Sequence, residues 1–104
     1  MYNVLMTPNP TRFQETLDIL QEECAEVIQA VSKIRRFGID NSKVGTNYSN
    51  REHLEEELGD VLAMVDILLI NNIVDWGNLH RAKRAKIEKL KKWSNIFKNS
   101  AAKS

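Results

Sequence analysis

The chain has 104 residues, enough for one small domain with a hydrophobic core, and its 42% hydrophobic and 28% charged residues are ordinary proportions for a globular protein. No apolar stretch approaches the roughly 20 residues of a membrane-spanning helix. The N-terminus lacks a secretory signal, and a single cysteine excludes an internal disulfide framework. We therefore expect a cytoplasmic protein with one domain over residues 1–104.

The net charge of +1 conceals a division along the chain. Residues 1–75 contain six Lys/Arg and thirteen Asp/Glu, a net charge of −7. Residues 76–104 contain nine Lys/Arg and one acid, a net charge of +8. Two interpretations remain open. Either the basic segment is a solvated helix face, or it lies opposite the acidic segment across a site that binds phosphates.

The first predicted helix follows an irregular lead-in over residues 1–9. Asn9 and Pro10 fit a helix cap followed by proline at the first helical position, and Thr11 with Gln14 forms an alternative capping box. Apolar residues then recur at alternating steps of four and three, which predicts one helical stripe of about six turns. The stripe consists of Phe13, Leu17, Leu20, Cys24, Val27, Val31 and Ile34.

A loop and a second helix are predicted next. Gly38 is a suitable stop for the first helix, and residues 38–48 lack periodicity, which is typical of a loop. Ser49 with Glu52 forms a capping box for the second helix. Past Gly59 this helix is apolar almost all round, so it is predicted to be the most buried element. Its stripe consists of Leu54, Leu58, Val61, Val65 and Leu68.

The third predicted helix begins after a turn. Asp75 is its expected cap, and the helix is expected to run from about Trp76 to Phe97, with a frayed tail over residues 98–104. Together the three helices predict an all-α fold. In this fold a four-helix-bundle-type core is completed by dimerisation.

Two pairs of carboxylates stand out on the first and second helices. Glu23 and Glu26 are three residues apart, as are Glu57 and Asp60, so the members of each pair are neighbours on one helix face. If the helices pack face to face, the four acids meet, repel one another and raise each other's pKa values. Mg²⁺ removes that conflict, because it binds oxygen ligands and keeps waters and substrate phosphates in its remaining positions. The alternative is a solvated acidic face.

These motifs resemble the MazG-like superfamily of all-α nucleoside triphosphate pyrophosphohydrolases. The resemblance covers roughly residues 13–93, and the ordered pair of acidic motifs carries most of it. The matching segments are Glu23-x-x-Glu26, Arg36-Phe37-Gly38, Glu57-x-x-Asp60 and Ile87-Glu88-Lys89-Leu90.

The resemblance implies hydrolysis of a (deoxy)nucleoside triphosphate between its α and β phosphates, which releases a monophosphate and pyrophosphate. It also implies that two or more Mg²⁺ ions are bound per site, with Mn²⁺ expected to substitute, and that the active unit is a homodimer or a dimer of dimers. Glu22 maps to the general base that activates the water. The implied metal ligands are Glu23, Glu26, Glu57 and Asp60.

Further candidates would contact the substrate directly. Lys83, Lys86 and Lys89 lie on the basic third helix and are predicted to bind the phosphates, because a lysine is a point-charge partner for them. Phe37 or Tyr48 would stack on the base. The alternative is that the lysines face solvent and that Phe37 packs in the core.

Other residues take ordinary structural interpretations. Cys24, Trp76 and Trp93 are expected in the core, since each lies on an apolar stripe. His53 and His80 are expected at the surface.

Four alternative functions are weaker. Phosphoribosyl-ATP pyrophosphohydrolase is the runner-up among enzymes, but such proteins normally carry a Tyr-His pair after the second motif, where this chain has Val61-Leu62. A non-enzymatic helical dimer, or a nucleic-acid binder that uses the basic third helix, leaves the acidic pairs unexplained. A di-iron bundle requires Glu-x-x-His motifs, and neither histidine completes one.

Overall fold

The computed structural model describes residues 10–98, which form three α-helices and no β-strand apart from an isolated bridge between Ser42 and Ser49. Helix α1 spans Pro10–Phe37, α2 spans Asn50–Ile70 and α3 spans Trp76–Trp93. The predicted all-α class is confirmed. The predicted lead-in with its cap Asn9, and the tail beyond residue 98, lie outside the described residues.

The predicted boundaries between α1 and α2 are confirmed. Gly38 has a φ of 95°, a left-handed conformation that favours glycine, and its amide donates a 2.8 Å hydrogen bond to the Ile34 carbonyl. At the start of α2 the Ser49 hydroxyl accepts from the Glu52 amide at 3.1 Å, and the Glu52 carboxylate accepts from the Ser49 amide at 3.1 Å. This capping box satisfies two amides that the helix itself leaves without partners.

Helices α1 and α2 pack against each other in an antiparallel hairpin. Near the loop, the Asn50 side-chain amide donates to the Gly38 carbonyl at 2.9 Å, while farther from the loop Glu23 at the middle of α1 contacts Asp60 at the middle of α2. The two helices therefore run in opposite directions. An exposed ion pair between Arg51 and Asp40 also joins α2 to the loop, at 3.0 Å.

The hairpin buries one face of each helix and leaves the rest open. Among the described residues, Ala30, Met64 and Leu68 are the buried apolar ones, whereas Leu62 is 65% and Ile70 is 77% exposed. The prediction that α2 is the most buried element is confirmed for the described residues, since three of its residues are buried against two in α1 and none in α3. The expected core position of Cys24 is wrong, because the hairpin covers only one side of α1 and leaves this cysteine exposed.

By its internal contacts the chain divides into two compact units, Met1–Ile73 and Val74–Ser104, which are described separately. The predicted cap of α3 is confirmed, because the Asp75 carboxylate accepts a 2.9 Å hydrogen bond from the Asn78 amide. The predicted end at Phe97 is wrong by four residues. The helix ends at Trp93 because the backbone becomes extended at Ser94, with φ −129° and ψ 172°, while the hydroxyl and the amide of Ser94 still donate to the Leu90 carbonyl at 2.7 and 3.0 Å.

The aromatic residues of α3 are not core residues in the described chain. Trp76 and Trp93 are both exposed, which corrects their predicted positions. The Trp76 ring stacks on His80, with ring centroids 5.7 Å apart, and the Lys92 ammonium lies 5.1 Å from the centroid of Trp93. Among the described residues, no helix is long and apolar enough to cross a membrane.

Candidate active site

Three carboxylates meet between α1 and α2. Each of Glu23, Glu57 and Asp60 offers a carboxylate oxygen, and these oxygens all lie within 4.8 Å of one another. Glu23 comes from α1, and the three-residue spacing on α2 places Glu57 and Asp60 on the same face. We call these three residues the acidic cluster. It contains three of the four acids that the sequence predicts to bind metal.

The electrostatics of the acidic cluster favour binding of positive charge. The pKa of Glu23 is raised, first by partial desolvation, then by a hydrogen bond with the Asp60 carboxyl, and further by repulsion from Asp60, Glu57 and Glu22. A proton held there relieves the crowding of negative charges. A divalent cation relieves it more completely, because it supplies two charges and binds several oxygens at once.

Glu57 is the most protected of the described acids. It is only 7% exposed, and its Oε1 lies 3.4 Å from His53 Nε2, one helical turn earlier on α2. The His53 side chain is itself only 19% exposed, so the expectation that it lies at the surface is wrong. The four-residue spacing between His53 and Glu57 is visible in the sequence and would have indicated this contact.

The remaining predicted acids lie beside the acidic cluster on α1. Glu26 is half-buried one turn after Glu23, but it is not among the three carboxylates whose oxygens lie within 4.8 Å of one another. Glu22 is exposed and close enough to Glu23 to raise its pKa. Their roles as a fourth ligand and as a general base stay predictions.

A cavity of about 520 Å³ opens beside the acidic cluster, at the end of the hairpin where the loop joins the two helices. Both predicted base-stacking residues line it, and Phe37 is exposed there rather than packed in a core. His53 lines the cavity as well as contacting Glu57, so the cavity begins one helical turn from the acidic cluster. The lining residues are Lys33, Phe37, Asn41, Ser42, Lys43, Val44, Tyr48, Ser49, Asn50 and His53.

Two contacts hold the Tyr48 side chain in place at the cavity wall. Its hydroxyl donates a 2.8 Å hydrogen bond to Glu56 Oε1, and its ring centroid lies 6.0 Å from that of His53 at a tilt of 52°. The hydrogen bond to Glu56 is the largest of the effects that raise the pKa of Tyr48 to about 12. Tyr48 therefore stays a neutral hydrogen-bond donor across the ordinary pH range.

The predicted phosphate-binding residues belong to the second unit. Lys83, Lys86 and Lys89 lie three residues apart along α3, and all three are exposed. Within this unit they form one row of positive charge, because residues three apart lie on the same helix face. Their role at the phosphates stays a prediction.

The donor set of the acidic cluster fits a hard divalent cation. Carboxylate oxygens are the protein ligands that Mg²⁺ prefers, and a site with three of them leaves positions for water and phosphate. One of the three, Glu57, is buried, and buried carboxylates are costly unless they are compensated. Fold and site together define an all-α protein with an acidic site between two packed helices.

One model of a known protein family matches this chain. The family model described as the MazG nucleotide pyrophosphohydrolase domain matches residues 11–93, and the chain belongs to that family. The match includes both acidic motifs and the start and end of each described helix except the first residue of α1. No curated protein and no solved structure gives a significant match.

Proposed function

We propose that this protein is a Mg²⁺-dependent nucleotide pyrophosphohydrolase that cleaves a (deoxy)nucleoside triphosphate into the monophosphate and pyrophosphate. Family membership supports the reaction class. The observation that carries the proposal is the acidic cluster, in which Glu23, Glu57 and Asp60 converge within 4.8 Å from two different helices.

The acidic cluster would hold the metal, with Glu26 as a further ligand from the adjacent turn of α1. When bound, Mg²⁺ offsets the negative charge of the triphosphate and lowers the pKa of the attacking water. The chain itself would hold these carboxylates in the positions that the metal requires. Their helices are fixed by packing, so little reorganisation is needed when the substrate arrives.

Glu22 is the proposed general base. The reaction adds one water across the α–β anhydride, and the leaving pyrophosphate departs with the bridging oxygen. The Glu22 carboxylate would accept the proton that the attacking water loses. Its position supports this role, since it is exposed and lies next to Glu23 of the acidic cluster.

The cavity is the proposed site for the nucleoside part of the substrate. Phe37 and Tyr48 offer aromatic faces on which a base can stack. Its distance from the acidic cluster, one helical turn on α2, suits a substrate whose phosphates reach the metal while its base enters the cavity. Lys83, Lys86 and Lys89 are proposed to bind the phosphates, on the ground of their charge and exposure.

A homodimer or a dimer of dimers is the proposed active unit. The support comes from apolar side chains that the hairpin leaves open, among them Ile28 at 67% and Leu62 at 65% exposure. Apolar surface of this kind is typical of a face that packs against another chain. A second copy would supply the further helices of a four-helix core.

The direct test is a product assay with each of the eight common nucleoside triphosphates and phosphoribosyl-ATP. Each is incubated with Mg²⁺, and the monophosphate and pyrophosphate are quantified by ion-exchange chromatography. We expect equal amounts of both products from at least one nucleoside triphosphate, and none in the presence of EDTA. Turnover of phosphoribosyl-ATP alone would favour the related enzyme class. Release of inorganic phosphate in place of pyrophosphate would contradict the proposed bond cleavage.

A further inference from the structure

His53 occupies a position that connects the two halves of the proposed site. Its Nε2 lies 3.4 Å from Oε1 of Glu57, and its ring lines the cavity. It is the histidine of the first unit, and it contacts a member of the acidic cluster. His80 lies on α3 and stacks on Trp76.

We propose that His53 is a positioning residue, which holds the Glu57 carboxylate in the orientation that the metal requires. This inference rests on the proposed function. An imidazole Nε2–H donates toward a carboxylate both in the neutral Nε2-protonated ring and in the imidazolium. The 3.4 Å contact is an ion-pair distance somewhat longer than an ordinary N–H···O hydrogen bond, so the ring is placed to hold Oε1, and we assign the other oxygen of Glu57 to the cation.

The surroundings of His53 restrict the ring in turn. The Tyr48 ring lies beside it at a centroid distance of 6.0 Å, and the Tyr48 hydroxyl is held by Glu56 at 2.8 Å. His53 and Glu57 are four residues apart on one helix, so the backbone fixes their separation. A chain of contacts thus runs from the cavity wall through His53 to the acidic cluster.

Two simpler roles for His53 make different predictions. If the ring only compensates the buried Glu57, its loss lowers the stability of the metal-free protein and leaves metal affinity unchanged. If the ring only fills space, an apolar side chain of similar volume replaces it without consequence. A positioning role requires a hydrogen-bond donor at this place, since partners that hold a ligating carboxylate typically change metal affinity by about 10–100-fold.

The test compares His53→Leu, which removes the donor, with His53→Gln, which keeps one, and with His80→Gln as the matched control. Mg²⁺ affinity is measured by calorimetry on the full chain, and the melting temperature is measured in EDTA. We expect His53→Leu to bind Mg²⁺ about 10–100-fold more weakly. His53→Gln should retain most of the affinity, and His80→Gln should match the wild type. Equal Mg²⁺ affinity in His53→Leu and the wild type would overturn the inference.

A second measurement does not depend on any variant's stability. The chain contains two histidines, so its imidazole C2–H region in a proton NMR spectrum has two signals, which His80→Gln assigns. Titration with Mg²⁺ should shift the His53 signal until the site is saturated and leave the His80 signal in place. An unmoved His53 signal at saturating Mg²⁺ would overturn the inference.

These outcomes separate the inference from the proposed function. Wild-type protein that binds no Mg²⁺ and hydrolyses no nucleotide would contradict both. Wild-type protein that binds Mg²⁺ and releases pyrophosphate, alongside a His53→Leu variant with unchanged metal affinity, would contradict the positioning role alone.

Discussion

The hydroxyl of Tyr48 donates a 2.8 Å hydrogen bond to Glu56, and this contact ties the loop to α2 at the cavity. Tyr48 precedes the helix cap, and Glu56 lies within the helix, so the bond crosses the point where the chain enters α2. It holds an aromatic face toward the cavity. Three nearby glutamates also disfavour the ionised form of Tyr48, namely Glu52, Glu56 and Glu57.

Tyr48 is therefore expected to titrate with a pKa of about 12 rather than in the ordinary tyrosine range. Because the folded-state pKa is raised, the folded protein should lose stability as pH rises from the ordinary value of about 10 through this raised value. Absorbance at 295 nm measures the ionisation, and Tyr48→Phe identifies its contribution. Glu56→Gln should lower the pKa of Tyr48, since it replaces the charged acceptor of the Tyr48 hydrogen bond and removes the charge that it carries. An unchanged titration curve in that variant would contradict the assigned cause.

The acidic cluster should make the metal-free protein less stable at higher pH. The folded state binds the Glu23 proton more tightly than the unfolded state does, so stability is full below the ordinary carboxyl pKa and falls as pH rises through the raised value. Thermal melts in EDTA across this range measure the effect. Asp60→Asn should reduce the pH dependence and raise the melting temperature near neutral pH, because it removes one of the repelling charges.

The same Asp60→Asn variant should have no turnover, since it lacks a proposed metal ligand. Glu55→Gln is the matched control, because Glu55 is an exposed acid of α2 outside the acidic cluster. The control should resemble the wild type in both stability and activity. Normal hydrolysis by Asp60→Asn would rule out this residue as a ligand.

Glu22→Gln tests the general base. The variant should bind Mg²⁺ as the wild type does, while kcat falls by about 10²–10⁴-fold, the usual contribution of a general base. Single-turnover kinetics with saturating Mg²⁺ measures the chemical step directly. Glu15→Gln serves as the control, because Glu15 is another exposed acid on α1. Loss of Mg²⁺ binding in Glu22→Gln would instead make Glu22 a ligand.

The helix boundaries that were predictable from the sequence are those fixed by nearby residues. The capping box of Ser49 and Glu52 spans three residues, and the stop at Gly38 depends on one left-handed residue. The convergence of Glu23 with Asp60 was also predictable, because each lies in a pair of acids with helical spacing. The end of α3 is not predictable from the apolar stripe, because the stripe continues to Phe97 whereas the backbone becomes extended at Ser94.

Burial was harder to predict than helix position, because it depends on how each helix is rotated against its neighbours. Cys24 lies on the apolar stripe of α1, yet it is exposed because the hairpin supplies one neighbour only. The position of His53 depends on Glu57, four residues later on the same helix. Polar residues at this helical spacing indicate the contact that brings His53 next to the acidic cluster.

The exposed apolar residues of α2, such as Leu62 and Ile70, predict that self-association depends on this helix. Leu62→Glu places a charge on a residue that is 65% exposed in the single chain, so it should shift a dimer or larger assembly toward monomer. Light scattering coupled to size exclusion measures the mass. Val44→Glu is the control, because Val44 is an exposed apolar residue of the loop. A wild-type monomer at high concentration would contradict the proposed dimer.

The row of lysines on α3 leads to a prediction about substrate binding. Lys86→Met keeps the length of the side chain and removes its charge, so a lysine that binds phosphate should be revealed by a KM several-fold higher, with kcat and helicity little changed. Steady-state kinetics and circular dichroism measure these quantities, and Lys83→Met should behave alike. Lys92→Met is the control, since Lys92 lies over the Trp93 ring. Unchanged kinetics in both test variants would contradict phosphate binding and indicate that these lysines form a solvated face of α3.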